Sequence, residues 1–232
     1  MADTSLSQSE APPTDPDAFP MINKPLLRGW LHLGATPIAL IAGMALMIFA
    51  PTLSGRVSSG VFTLTAVMLF GTSAVYHRGR WSPRTLAVLR RMDHANIFLI
   101  IAGTYTPLTV ILLEGTTRTA VLVLVWVGAF LGLLFRVIFI NAPRWLYVPL
   151  YVALGWVAIG YIKPFYENGG AAVVWLIVAG GLSYTVGAVF YGFKWPGTSA
   201  RYFGYHEYFH SLTVVGFVCH YIAAAIAVFN AS

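Results

Sequence analysis

Charge is what this sequence has least of: 9% of its 232 residues are Asp, Glu, Lys or Arg, against 58% hydrophobic. Soluble domains carry about 25% charged residues, so a water-facing surface cannot be covered, and a mean hydropathy of +0.74 agrees. Cysteine is nearly absent. The single Cys219 rules out a disulfide within the chain and reads as a small buried hydrophobe. Strand-like alternation is also missing, and the apolar runs are too long for barrel strands. Residues 1–22 lack the basic start and apolar stretch of a secretory signal. They hold Asp3, Glu10, Asp15 and Asp17 among prolines and serines, and are expected to form a disordered tail that stays where it was made. No internal repeat is visible, and an odd helix count sits badly with a transporter built from two equal halves.

What is present is a series of apolar stretches, at residues 30–51, 57–77, 91–113, 118–140, 145–162, 171–193 and 206–229, each near the length that spans a bilayer. The polar or Gly/Pro-containing segments between them read as loops. The sequence thus predicts an all-α membrane protein, a seven-transmembrane helix bundle occupying residues 23–232. Lys24, Arg28, Arg78, Arg80, Arg84, Arg90, Arg91, Arg136, Arg144, Lys194 and Arg201 fall on the side of the N-terminus. Only Arg56, Arg118 and Lys163 fall on the other. Basic residues resist translocation, which predicts a cytoplasmic N-terminus, an external C-terminus and a multi-pass protein of the cell inner (plasma) membrane. The net charge of +6 therefore reports topology and lipid headgroups, not nucleic acid. Gly128, Gly132, Gly180, Gly181 and Gly187 are expected to allow close helix packing.

Ionisable residues inside a span are costly and ask for a reason. His77 ends the second stretch, Asp93 begins the third, and His206 and His210 begin the seventh, so the alternating topology brings all four to one depth near the cytoplasmic face. His206 and His210, four residues apart, share a helix face. With His77 as a third nitrogen they make the three-histidine set of a catalytic zinc site with one open position. Asp93 would reach the ion through a water whose pKa the metal lowers toward about 7. Ser73, one turn before His77, would hydrogen-bond that water or an oxyanion. Singly, each residue has a blander explanation: interfacial histidines, a carboxylate serving a helix dipole beside Arg90 and Arg91, a serine bonding the carbonyl one turn back. Their shared depth makes the joint coincidence the weaker account. His94 faces elsewhere and is expected to pack. His220 lies about 15 Å beyond His210 along the helix, too far to share an ion. His32 is expected at the interface, and Arg136 is expected to snorkel. The run from His206 to His210 also fits H-E-x-x-H, in which Glu207 would be a metalloprotease base.

At these residues the sequence resembles a known family. Ser73-Ala-Val-Tyr-His77, Leu89-Arg-Arg-Met-Asp93-His94 running into Ala102-Gly-Thr-Tyr-Thr-Pro107, and His206-Glu-Tyr-Phe-His210 look like the three signature blocks of the hemolysin III family. Those proteins are bacterial relatives of the progestin and adipoQ receptors, in a superfamily with the alkaline ceramidases. Gly155-Trp156, Gly180-Gly181-Leu-Ser-Tyr184, Gly187 and Phe190-Tyr191 are similar to its fifth and sixth helices. The resemblance implies seven helices, a cytoplasmic N-terminus, and zinc on His77, His206 and His210 with Asp93 holding the water and Ser73 nearby. The receptor branch has larger N-terminal domains than the short tail here, so a peptide-hormone ligand is not expected.

These readings converge on a zinc-dependent hydrolase of a lipid amide or ester, with a membrane lipid or fatty-acyl substrate. The alternatives are a non-enzymatic, receptor-like sensor with a structural zinc, and a channel or cytolysin in keeping with the family name. The third is weakened because buried ionisable groups line only one side of the bundle.

Overall fold

The computed structural model describes residues 25–197 and 201–231; the tail expected at residues 1–22 lies outside them. The described residues form helices and no strand. In chain order the helices are α1 (Trp30–Phe49), α2 (Leu53–Arg78), α3 (Pro83–Leu112), α4 (Gly115–Ile138), α5 (Arg144–Gly155), α6 (Ile162–Phe193) and α7 (Tyr205–Phe229). A 3₁₀ segment, Trp156–Tyr161, joins α5 to α6. Six stretches are long and apolar enough to cross a membrane, because Arg144–Phe193 runs on as one stretch of 50 residues.

That long stretch doubles back. At its two ends Arg144 Nη1 donates to the carbonyl of Tyr191 (2.8 Å), and the hydroxyls of Tyr147 and Tyr191 lie 3.1 Å apart. Near its middle, Asn168 Nδ2 donates to the carbonyl of Leu112 (2.7 Å), at the far end of α3. Gly170 supplies the reversal: its φ of +77° and ψ of 176° are non-helical, a conformation that glycine adopts without a Cβ penalty. Where α5 gives way to the 3₁₀ segment, Tyr105 repairs the backbone. Its hydroxyl donates to the Gly155 carbonyl (2.7 Å) and accepts from the Ala158 N–H (2.7 Å), since in hydrocarbon no water would serve those groups.

The third helix starts earlier than hydropathy suggests. Ser82 caps it, accepting from the Thr85 N–H (3.3 Å), and Pro83 occupies the first turn, where its missing N–H costs nothing. Asp93 therefore lies ten residues inside α3, and a role at the helix dipole falls away.

Packing places α3 at the centre. It contacts α2, α4, α5, α6 and α7, while α1 lies on α2 and α7. Asn96 Nδ2 ties α3 to α2, donating to the Met68 carbonyl (2.9 Å) and Thr72 Oγ1 (3.1 Å). Large apolar side chains such as Ile38, Ile41, Phe130 and Leu131 are exposed, as a lipid-facing surface requires. Polar residues such as Ser59, Thr63, Asn96 and Thr109 are buried. The glycines make room as expected: a Cβ on Gly132 would run into the ring of Phe98, one on Gly128 into Leu154, and one on Gly187 would crowd Leu212 and Phe209.

A Gly132→Ile substitution is expected to force α3 and α4 apart and to cost on the order of 1–3 kcal/mol. Thermal unfolding of the purified protein in detergent reads the loss, and an unchanged melting temperature would contradict this packing.

Candidate metal centre

All six histidines are buried, none more than 9% exposed, which in a bundle of apolar helices demands partners. Three of them meet at one end of the bundle. His77 arrives on the last turn of α2, and His206 and His210 stand on the first two turns of α7. One nitrogen from each lies within 4.8 Å of the other two. The Nε2 atoms of His77 and His206 are 3.1 Å apart, and the ring centroids of His206 and His210 are 4.4 Å apart. Asp93 Oδ2 lies 3.8 Å from His77 Nε2. Ser73 Oγ is buried without a hydrogen-bond partner, as is His206 Nδ1. Ser73, Asp93 and His210 line one cavity of about 110 Å³, whose walls are otherwise mostly apolar.

The donor set fits a metal ion. Three neutral imidazoles can each turn a lone pair toward a shared point, and buried lone pairs this close together repel unless a proton or a cation lies between them. Imidazole suits zinc, copper, nickel or iron, so the geometry defines a three-histidine site without naming its occupant.

A fourth histidine belongs to the cluster. His32 stacks on His210, with ring centroids 3.8 Å apart and planes 10° from parallel, and it lines the same cavity. It is 2% exposed, not interfacial. Its burial was readable from α1, where His32, Ala39, Gly43 and Leu46 recur at the spacing of one helix face.

Glu207 points to a different task from the one H-E-x-x-H suggests. One carboxylate oxygen accepts from the Gly204 N–H (2.8 Å), half of a capping box at the start of α7. The other pairs with Nε of Arg28. With both oxygens engaged and the residue 1% exposed, Glu207 anchors the segment leading into α1 onto α7. Gly29, in the left-handed region at φ +82°, lets that segment lie against His77: a Cβ there would come within 2.8 Å of the His77 Cβ.

The neighbouring polar residues form a girdle around the cluster. His94 packs, as expected: Nδ1–H donates to the Arg90 carbonyl (2.7 Å), leaving Nε2 to accept from the Tyr191 hydroxyl (3.1 Å). Arg144 lies over the Tyr191 ring at 4.3 Å. Arg136 does not snorkel. It is 2% exposed, lies over the Tyr147 ring at 4.1 Å, and donates to the Phe139 and Ile140 carbonyls, both at 3.3 Å. Cys219 is only half-buried.

Helices crossing a membrane around a buried histidine cluster define a multi-pass membrane protein with a candidate metal site. Residues 21–221 match the family described as Haemolysin-III related, and the chain belongs to that family. It is 32% identical over 160 residues to the "Hemolysin-3 homolog" of Bacillus subtilis, covering 68% of this chain and 75% of the relative. It is 34% identical over 140 residues to the "Hemolysin-3" of Bacillus cereus, covering 60% of this chain and 64% of the relative, a little under two thirds of its length.

Removing one partner of a buried ion pair leaves an uncompensated charge and costs about 3–5 kcal/mol; the partial exposure of Arg28, 12% at its side chain, argues for the lower end. Glu207→Gln and Arg28→Met are therefore each expected to destabilise the protein, and the double variant to lose less than their sum. Metal content should be unchanged in both, whereas a loss of metal in Glu207→Gln alone would return the glutamate to the site.

Proposed function

We infer that this protein is a zinc-dependent hydrolase of the cell inner membrane acting on an amide or ester of a lipid. The carrying observation is the three-histidine cluster opening onto an apolar cavity beside an aspartate and an unpartnered serine. His77, His206 and His210 are the ligands. A zinc ion held there supplies Lewis acidity and a lowered pKa for water. With an ion bound, Asp93 would hold a water at the site and take its proton. Ser73 Oγ, buried without a partner, donates to the oxyanion that develops at the carbonyl. The apolar cavity takes the acyl chain and keeps bulk water from the reacting carbon.

The topology belongs to the same reading. The doubling-back of Arg144–Phe193 counts as two crossings, giving seven in all. The excess of Lys and Arg at the histidine end puts that end and the N-terminus in the cytoplasm. The site then faces the inner leaflet.

A second reading has support from the packing itself. With imidazoles from the second and last membrane helices in contact, an ion there would clamp α2 to α7, and the protein would be a membrane sensor without turnover. The name "Hemolysin-3" carried by a relative suggests cytolysis, a reading that the mostly apolar walls of the cavity do not favour.

Metal analysis of purified protein should find one zinc per chain, falling to background in the His206→Ala, His210→Ala double variant; retention of metal there would end the proposal. Asp93→Ala should keep the metal and lower lipid turnover by at least about a hundredfold, the usual worth of a positioned acid or base. Lipid profiles of cells expressing wild type and Asp93→Ala read this. Identical profiles, with chelation lowering only the melting temperature, would establish the clamp instead.

A further inference from the structure

The cavity that begins at Ser73, Asp93 and His210 has a second polar end. Thr104 of α3, Tyr184 of α6 and His220 of α7 line it too. Thr104 Oγ1, the Tyr184 hydroxyl and His220 Nδ1 are all buried, and none has a hydrogen-bond partner. Apart from Ser73 at the first end, the other hydroxyls along the walls are satisfied. Thr213 Oγ1 donates to the Phe209 carbonyl (2.8 Å), Thr185 Oγ1 to that of Gly181 (2.8 Å), and Tyr105 to that of Gly155 (2.7 Å). An unpaired buried polar group is costly, so three at this end of the cavity call for a ligand.

Their chemistry specifies it. His220 Nε2 lies 3.2 Å from the Ile177 carbonyl, which can only accept, so the proton sits on Nε2 and Nδ1 of the neutral ring is an acceptor. The structure makes room for this ring, since a Cβ on Gly180 would come within 2.7 Å of His220 Nε2. Tyr184 and Thr104 bring hydroxyls that donate. Among oxygen substituents an acyl chain carries along its length, a hydroxyl both gives a hydrogen bond to Nδ1 and takes one from a hydroxyl, whereas a ketone or an ether can only accept. His220 follows His210 by ten residues and Thr104 follows Asp93 by eleven, which at the helical rise puts this end about 15–17 Å from the histidine cluster.

We propose that Thr104, Tyr184 and His220 form a subsite for a hydroxyl carried in the middle of an acyl chain, so that the cavity selects hydroxylated acyl lipids over plain ones. This rests on the lipid reading of the site and adds a second recognition point to it.

Ricinoleic and oleic acids, which differ by one mid-chain hydroxyl, test it on full-length protein purified in detergent, through displacement of a fluorescent fatty acid. Ricinoleic acid is expected to bind about tenfold more tightly, the worth of one to two well-made hydrogen bonds. In Thr104→Val, Tyr184→Phe the ratio is expected to fall toward one. Equal affinities for wild type, or a preference that survives in the double variant, would overturn the subsite and assign those polar atoms to buried water. Binding of neither acid would overturn the lipid reading with it. Equal affinities for wild type overturn the subsite whether or not the variant folds.

Discussion

A polar atom inside this bundle has no water to fall back on, and that constraint organises the molecule more than any single contact does. Hydroxyls of Ser58, Thr63, Thr106 and Thr213 turn back to carbonyls of their own helices. Asn96 bridges α2 and α3, and Tyr105 mends the break between α5 and the 3₁₀ segment. Against that background few atoms are left over, and those of His32, Ser73, Thr104, Tyr184 and His220 lie along one cavity. Unsatisfied polar groups in a native protein mark either strain or a missing partner.

The girdle around the histidines follows from the same constraint. Arg136 and Arg144 are held over tyrosine rings and capped by carbonyls, so their charges are spread into π faces and peptide dipoles instead of facing hydrocarbon. His94, Tyr147, Tyr151 and Tyr191 connect α3, α5 and α6 in one network. Together with Arg144 Nη2 donating to the Tyr205 hydroxyl (3.3 Å), these contacts tie the ends of α3 and α7 that carry Asp93, His206 and His210 to α5 and α6. A cluster of three candidate metal ligands keeps its geometry only with such support.

Much of this was legible in the sequence, and the parts that were not have physical reasons. Hydropathy located α1, α2, α4 and α7 within a few residues, because in each the apolar run covers most of the helix. It began the third helix eight residues late, because Arg84, Arg90 and Arg91 depress hydropathy while remaining good helix formers. The separation of the fifth and sixth stretches was read from Glu167-Asn168-Gly169-Gly170, and the reversal does fall at Gly170, yet the helix continues on both sides of it. His77, His206 and His210 were found from spacing and alternating topology, since both are properties of one chain in one membrane. Glu207 was not understood, because its partner Arg28 lies 179 residues away and no local pattern announces such a pairing. His32 was placed at the interface by its position near a helix end, when the periodicity of its own helix marked the buried face.

The cluster draws on the first, second and last helices to leave the ribosome. His32 and His77 enter the membrane early, whereas His206 and His210 arrive only with the final hydrophobic segment, and Glu207 arrives beside them to engage Arg28. Until then, His32 lacks the His210 ring it stacks on, and His77 lacks the contact with His206. A chain that stalls or is cut before α7 therefore carries exposed intramembrane polarity, the kind of defect by which membrane quality control can distinguish an unfinished protein from a finished one.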